Sequence, residues 1–371
     1  MVKTGIIGTG KVAHLHALAL QRNPKSEFTA VLGRTPERTQ AFADQYRVKA
    51  YTDLDAFIED SGVQASTICT PHPAHVDAAV PALKSGMHLC IEKPLAASLE
   101  HCDVILDAAE RGNAKLGMVC QRRFYEPVLR VKGAVDSGKT GLPILGMVTM
   151  LGWRDQDYYD ADSWRGTWSE EGGGVLVNQA VHQLDLLLWF LGEVDELVGM
   201  WDNLNHPGIE VEDTAVASLR FKNGAMGHIL VSNSFNPALF GKVSVLGNTG
   251  AKVGVQTDSG QMFIPGMAAI SEPPLNDFWT VPGEEHLLEQ FRKEDTERFE
   301  SLNPEEHYHQ LQIDDFLDAI ESGREPCTTG QEGRDAVELF TAIYRSGRDG
   351  RSIKFPLKPE SDRDDFDGRL S

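Results

Sequence analysis

The sequence predicts an α/β protein in two parts: a doubly wound parallel-sheet domain at the N-terminus and an α+β domain after it. Three observations lead there. Residues 1 to about 120 alternate short apolar runs with amphipathic stretches of helical length, the pattern of parallel strands joined by crossover helices. A glycine turn, Gly8-Thr9-Gly10, separates the first run from the first amphipathic stretch. From about residue 144 the pattern changes to longer segments of alternating hydrophobicity, as in antiparallel sheet with one covered face. A chain of 371 residues exceeds the usual size of one hydrophobic core, so domains are expected at 1–121 and 122–358, with an acidic tail over 359–371.

In the first part the spacing predicts strands at 4–7, 28–32, 65–69, 88–91 and 116–120, with helices at 12–21, 36–46, 74–85 and 99–110 between them. Gly86 and Gly112 fall where helix C-terminal glycines belong. In the second part, alternating runs at 213–221 and 225–232 flank Lys222-Asn223-Gly224, a strong hairpin signal. Further antiparallel strands are predicted at 242–246 and 251–255, and one long helix from 174 to 191, ending at Gly192. Two late helices, 305–322 and 332–346, are expected to pack back on the first domain. Residues 266–300, Pro-rich and then charged, read as a long loop or mobile flap, and 361–371 as a disordered tail.

Composition removes several functional classes. A net charge of −20 argues against nucleic acid or anionic membranes as partners. No run of about 18 apolar residues is present, nor a signal-peptide core at the start, so a soluble cytoplasmic protein is expected. Cys69, Cys90, Cys102, Cys120 and Cys327 are odd in number and lack a spaced pair, which predicts reduced thiols and no structural zinc. His14/His16, His72/His75 and His307/His309 are close pairs without a recognised ligand spacing, and no metal site is expected.

Gly8-Thr9-Gly10-Lys11-Val12-Ala13 matches G-x-G-x-x-G/A between a strand and a helix. Gly8 permits the tight turn, Gly10 lets the backbone approach a pyrophosphate, and Ala13 keeps the helix near the sheet. The peptide N–H groups around Lys11 and Val12 then face the phosphates at the positive end of the helix, which points to NAD(P). The second strand ends without the acid that holds a ribose 2′-hydroxyl, while Arg34 and Arg38 follow it. That pair favours NADP(H) over NAD(H), or is a pair of solvated helix-start charges. Thr70-Pro71-His72 follows the 65–69 strand at the ligand edge of the sheet, where it either floors the nicotinamide ribose or is an ordinary proline turn. Glu92-Lys93-Pro94 follows the 88–91 strand on the same edge. Glu92 is counted among the dinucleotide contacts, and Lys93 is placed to reach a reacting oxygen and stabilise its negative charge. In a continuous helix over Gly174 to Leu191, Asn178, His182 and Asp185 project from one face.

On these residues the chain resembles the Gfo/Idh/MocA oxidoreductase family from Lys3 to about Pro356, through G-x-G-x-x-A, E-K-P, G-G-G-x(7)-H-x-x-D and the closing segment from Ala342 to Arg351. The resemblance implies a Rossmann domain and a C-terminal domain on a large open, mostly antiparallel sheet. It implies hydride transfer between NAD(P) and a secondary alcohol or ketone of a sugar, sugar derivative or cyclitol. Lys93 becomes the orienting cation, His182 the proton donor or acceptor, and Asp185 a group that orients His182 or closes a local network. The family's frequent Asp four residues before that His is Asn178 here. An amide cannot raise an imidazole pKa as a carboxylate does, but it can hydrogen-bond a substrate hydroxyl.

Arg123, Arg154, Tyr159, Trp164 and Arg165 are expected to line the substrate pocket, because carbohydrate sites combine flat aromatic faces with fixed polar groups. Arg154 and Arg165 would suit a carboxylate or phosphate, or serve as structural partners of Asp155, Asp157 or Glu170. Two alternatives follow: a dehydrogenase of a nucleotide-linked sugar or sugar acid, and a non-catalytic NAD(P)-binding sensor. A homodimer or homotetramer built on the C-terminal sheet is expected, with strands such as 213–221 exposing an apolar row.

Overall fold

The computed structural model describes residues 1–258 and 272–360. They form two compact units, Met1–Gln121 with Glu305–Arg334, and Arg122–Pro304 with the residues from Asp335 on.

The first unit runs β1 (Val2–Ile7), α1 (Lys11–Arg22), β2 (Ser26–Leu32), α2 (Pro36–Tyr46), β3 (Lys49–Tyr51), α3 (Leu54–Asp60), β4 (Ala65–Ile68), α4 (His75–Lys84), β5 (His88–Ile91), α5 (Leu99–Gly112) and β6 (Leu116–Met118). Its six strands are all parallel in the order β3-β2-β1-β4-β5-β6, the dinucleotide-binding order with its switch point between β1 and β4. Every residue of β4 is buried, as in a strand covered by helices on both faces. α1 turns Ala13, His16, Ala17 and Leu20 inward, and the small side chains of Ala13 and Ala17 on this face let the helix lie close to the sheet. The five predicted strands and four crossover helices are present; β3 and α3 were not predicted. After α5 the left-handed residue is Asn113 (φ 50°) rather than Gly112.

The second unit runs α6 (Glu126–Asp136), β7 (Pro143–Leu151), α7 (Gln156–Asp160), α8 (Val175–Asn178), α9 (Val181–Leu191), β8 (Val194–Asp202), β9 (Thr214–Phe221), β10 (Met226–Ser232), β11 (Gly241–Gly247), β12 (Lys252–Asp258), β13 (Leu275–Trp279) and α10 (Leu287–Glu300). After these come α11 (Pro304–Ser322), α12 (Gly330–Asp349) and β14 (Ile353–Lys354). Ile313, Phe316 and Leu317 of α11 join the core of the first unit. The second sheet has eight strands in the order β13-β12-β11-β7-β10-β9-β8-β14, antiparallel except for β7 beside β10. The predicted hairpin joins β9 to β10. Its loop has three residues closed by Phe221 N to Ala225 O at 2.8 Å, with Gly224 at φ +91°, the type I turn plus bulge rather than a two-residue turn.

Three expectations are corrected. The helix predicted from 174 to 191 is two helices, broken at Gln179–Ala180, so Asn178 does not share a continuous helix face with His182 and Asp185. The loop predicted at 266–300 contains β13 and α10 within 272–300, and 266–271 lies outside the described residues, as does 361–371. α10 carries few apolar residues and is held instead by Arg130, whose two terminal nitrogens each lie 2.7 Å from an Asp295 oxygen. Last, β9 buries its apolar row, Ala215, Ala217, Leu219 and Phe221. Its other face carries Thr214, Val216, Ser218 and Arg220. The exposed apolar groups of this sheet lie on other strands, as Val198 (51%), Met200 (68%) and Met226 (54%).

Candidate active site

The C-terminal ends of β1 and β4 frame the dinucleotide turn. Gly8 takes φ +108°, and a Cβ there would lie 2.8 Å from the Cys69 carbonyl carbon and oxygen, so the close approach of two chain segments demands glycine. A Cβ on Gly10 would meet nothing nearer than the Cys69 oxygen at 3.7 Å. Gly10 begins α1 without a side-chain cap, which leaves that helix end to an anion. Beside it, the Thr70 hydroxyl oxygen is buried and has no hydrogen-bond partner. A glycine cradle, an uncapped helix N-terminus and an orphaned hydroxyl at the switch point together fit a dinucleotide. Lys11 and Val12 open α1. Arg34 is exposed past the end of β2, and Arg38 turns its Nε onto the Thr9 carbonyl at 3.1 Å, bracing the turn.

After β4, Pro71 is exposed and His72 is buried. The fully buried His75, which sequence reasoning missed, places one ring nitrogen 3.0 Å from Thr70 O and the other 3.2 Å from Leu95 O. It thus ties the turn after β4 to the one after β5. In that second turn Lys93 is half-buried, and its backbone N–H donates to Glu92 Oε2 at 3.3 Å. Glu92 Oε1 accepts from His16 Nε2 at 2.9 Å. Burial opposes the charge on both groups, yet each supports the other: Cys69 and Glu92 beside His16 raise its pKa, and His16 holds that of Glu92 low. His309 lies edge-on to His16 at 5.8 Å, and burial keeps it neutral. The ligating atoms of His16, Glu92 and His309 all fall within 4.8 Å of one another, a grouping that the sequence spacing did not suggest.

In the second unit a buried carboxylate anchors the segment that carries the candidate acid–base group. Glu212, fully buried, accepts from Gly174 N at 2.8 Å and Leu176 N at 3.0 Å, capping α8. A Cβ on Gly174 would fall 1.8 Å from the Glu212 carbonyl oxygen, and one on Gly173 2.3 Å from the Tyr344 hydroxyl. The glycines after Glu171 are therefore room made for Glu212 and Tyr344. Burial raises the Glu212 pKa to about 7 from an ordinary 4.5, although the Leu176 and Gly174 N–H groups pull it down. Because the folded value lies above the unfolded one, its stabilising contribution is full below about pH 4.5 and is lost as pH rises through 7. Glu212→Gln removes that dependence. Thermal melts across this window should therefore show the wild type losing stability relative to the variant as pH rises. A difference independent of pH would rule out this ionisation.

His182 sits in the first turn of α9 and is 6% exposed. Next to it the break between α8 and α9 is wrapped in polar contacts. The Tyr158 hydroxyl receives Asn178 Nδ2 at 3.2 Å, Gln179 Nε2 at 3.0 Å and Arg165 Nη1. Asn178 Nδ2 also donates to Glu171 Oε1 at 2.5 Å. Asn233 Nδ2 reaches Gln179 Oε1 at 3.0 Å and the Tyr159 hydroxyl at 3.2 Å. Arg154 and Arg165 flank the Tyr158 ring at 5.4 and 4.3 Å, and Arg165 also lies 4.6 Å from the Trp164 ring and 3.2 Å from an Asp162 oxygen. Tyr159 is 4% exposed, so its ring is packing. Arg123, expected on the substrate, instead faces Asp185, expected to orient His182 or close a local network: two hydrogen bonds of 2.8 and 2.7 Å join them, and each is 1% exposed. Tyr158, Glu171, Gln179 and Glu212 were not singled out from sequence. Their partners include residues as distant as Asn233 is from Gln179, 54 residues along the chain, beyond the reach of local pattern.

A parallel six-stranded sheet with a dinucleotide turn, joined in one chain to a mostly antiparallel eight-stranded sheet, defines a two-domain NAD-binding oxidoreductase. The chain belongs to the Gfo/Idh/MocA family: residues 2–119 match the model described as oxidoreductase family, NAD-binding Rossmann fold, and 128–252 match the GFO/IDH/MocA C-terminal domain. It is 26% identical over 372 residues to the myo-inositol 2-dehydrogenase of Thermotoga maritima, covering 95% of this chain and 98% of the relative. It is 25% identical over 367 residues to the inositol 2-dehydrogenase of Rhizobium meliloti, covering 95% and 98%. The crystal structure of the WlbA dehydrogenase from Bordetella pertussis, in complex with NADH and UDP-GlcNAcA, superimposes with a TM-score of 0.80 at 29% identity, covering 96% of this chain and 99% of that one. Among the described residues, no helix is long and apolar enough to cross a membrane.

Proposed function

We propose that this oxidoreductase interconverts a secondary alcohol and its ketone on a sugar, sugar derivative or cyclitol, with His182 as acid–base group and Lys93 as orienting cation. The observation that carries the reading is the polar wall around Tyr158, Asn178 and Gln179 at the helix break immediately before His182. Donors and acceptors fixed on one another in this way suit a ligand made of hydroxyls. When bound, the dinucleotide supplies the hydride acceptor or donor. His182 takes the hydroxyl proton in oxidation and returns it in reduction. The Lys93 ammonium stabilises negative charge on the same oxygen. Inositol dehydrogenases among the relatives support this class of substrate. Turnover measured with sugars, inositols and sugar acids tests it, and inactivity on every alcohol would overturn it.

A second reading, a nucleotide-linked sugar acid as substrate, is favoured by Arg154 and Arg165, whose guanidinium groups both lie against the Tyr158 ring, and by the ligand of the Bordetella relative. In a panel, rate with uronic acids and none with neutral polyols would select it.

The preferred dinucleotide in this proposal is NADP(H), because Arg34 is exposed where the 2′-phosphate would lie and no acid ends β2. Arg34→Ala is expected to weaken NADP(H) relative to NAD(H) by about tenfold or more, the scale of one charged hydrogen bond; equal changes in the two dissociation constants remove the preference. We also propose a homodimer or homotetramer built on the second sheet, with Val198, Met200 and Met226 covered by a second copy. A monomeric mass in light scattering at micromolar concentration contradicts it. All cysteines are free thiols, which suits the cytoplasm.

A further inference from the structure

We propose that His16 is a positioning residue for Lys93, acting through the Glu92 carboxylate, so that the helix opening the dinucleotide turn also sets the lysine of the reacting edge. The inference rests on the reading of Lys93 given above. His16 is fully buried on α1, one turn past Val12. The Glu92 carboxylate is divided: Oε1 takes His16 Nε2 at 2.9 Å, and Oε2 takes the Lys93 backbone N–H at 3.3 Å. The second bond joins neighbouring residues and forms only while the Glu92 side chain keeps one rotamer. His16 is what keeps it there. Without that donor a buried carboxylate must take up a proton or turn toward water, and either change releases the peptide from which the Lys93 side chain departs.

Stability alone is a poor reason for this arrangement, since apolar residues of similar volume commonly serve as well as a buried ion pair. Its location, spanning α1 and the residue before Lys93, gives it a use. His309 closes the third side and is itself fixed by Nδ1 on Glu305 O at 2.7 Å.

The test is a set of single and double variants assayed for kcat, for substrate KM and for dinucleotide affinity by fluorescence. His16→Phe keeps the volume and removes the donor, and Glu92→Gln keeps the shape and removes the charge. Each should lower kcat roughly tenfold, the scale of a slightly misplaced reacting group, with dinucleotide affinity changed less than about threefold. His16→Gln, which retains an N–H donor, should recover part of the loss. In a Lys93→Met background none of these changes should reduce the residual rate further. An equal fractional loss in that background, or unchanged kcat in both single variants, overturns the proposal. Should His16→Phe not fold, Glu92→Gln carries the same comparison. Normal turnover in Lys93→Met alone would instead refute the role of Lys93.

Discussion

Replacing His182 or Lys93 with alanine is expected to lower turnover by at least about 100-fold, the scale of a positioned acid–base or charge-stabilising group, while dinucleotide affinity stays nearly unchanged. His182 occupies the first turn of α9, behind a helix break whose polar groups are engaged with one another. Among them Asn178 and Gln179 donate to the Tyr158 hydroxyl, and Glu171 accepts from Asn178. None of these is placed to replace an imidazole as proton carrier without breaking its own contacts. Lys93 follows β5 at the ligand edge of the sheet. Steady-state rates and dinucleotide titrations of each variant check both halves of the expectation. Near-normal turnover in either variant would remove that residue from the mechanism.

Asp185→Ala is expected to destabilise the second unit by about 3–5 kcal/mol, because it removes the bidentate carboxylate from a buried guanidinium. Arg123 is 1% exposed and stacks at 4.9 Å on Trp189, so it has no route to water that preserves the packing. Replacing both partners with apolar residues, Arg123→Met with Asp185→Leu, should restore most of the loss, since the cost lies in a buried guanidinium deprived of its carboxylate. Urea unfolding followed by tryptophan fluorescence measures both. A loss below about 1 kcal/mol in the single variant would mean that the pair is solvated and worth no more than a surface ion pair.

How much of this was legible in the sequence depends on how far each contact reaches along the chain. β1, β2, β4 and β5 announce themselves as apolar runs with a glycine near one end. β3 does not, because Lys49-Ala50-Tyr51 is too short to carry a period. α10 read as loop because its sequence is mostly charged, and what orders it is Arg130, more than 150 residues earlier. The break at Gln179–Ala180 contains neither glycine nor proline. It is held by side chains that reach Tyr158 and Asn233, bonds that no local pattern records. Glu92 is the instructive case in the site. Its position after β5 was visible, but the use of its carboxylate was decided by a histidine 76 residues away.

Neither unit is continuous in sequence, and this constrains the order in which the protein can be made. The first sheet is complete once β6 is synthesised, yet Ile313, Phe316 and Leu317 of its core come from α11. The second needs Tyr344 against Gly173 and needs β14 to pair with β8. On the ribosome the nucleotide turn and the His182 segment therefore both emerge long before the residues that close the cores beneath them. Their apolar faces wait for the last sixth or so of the chain, and it is during that interval that a nascent chain of this topology is most exposed to aggregation.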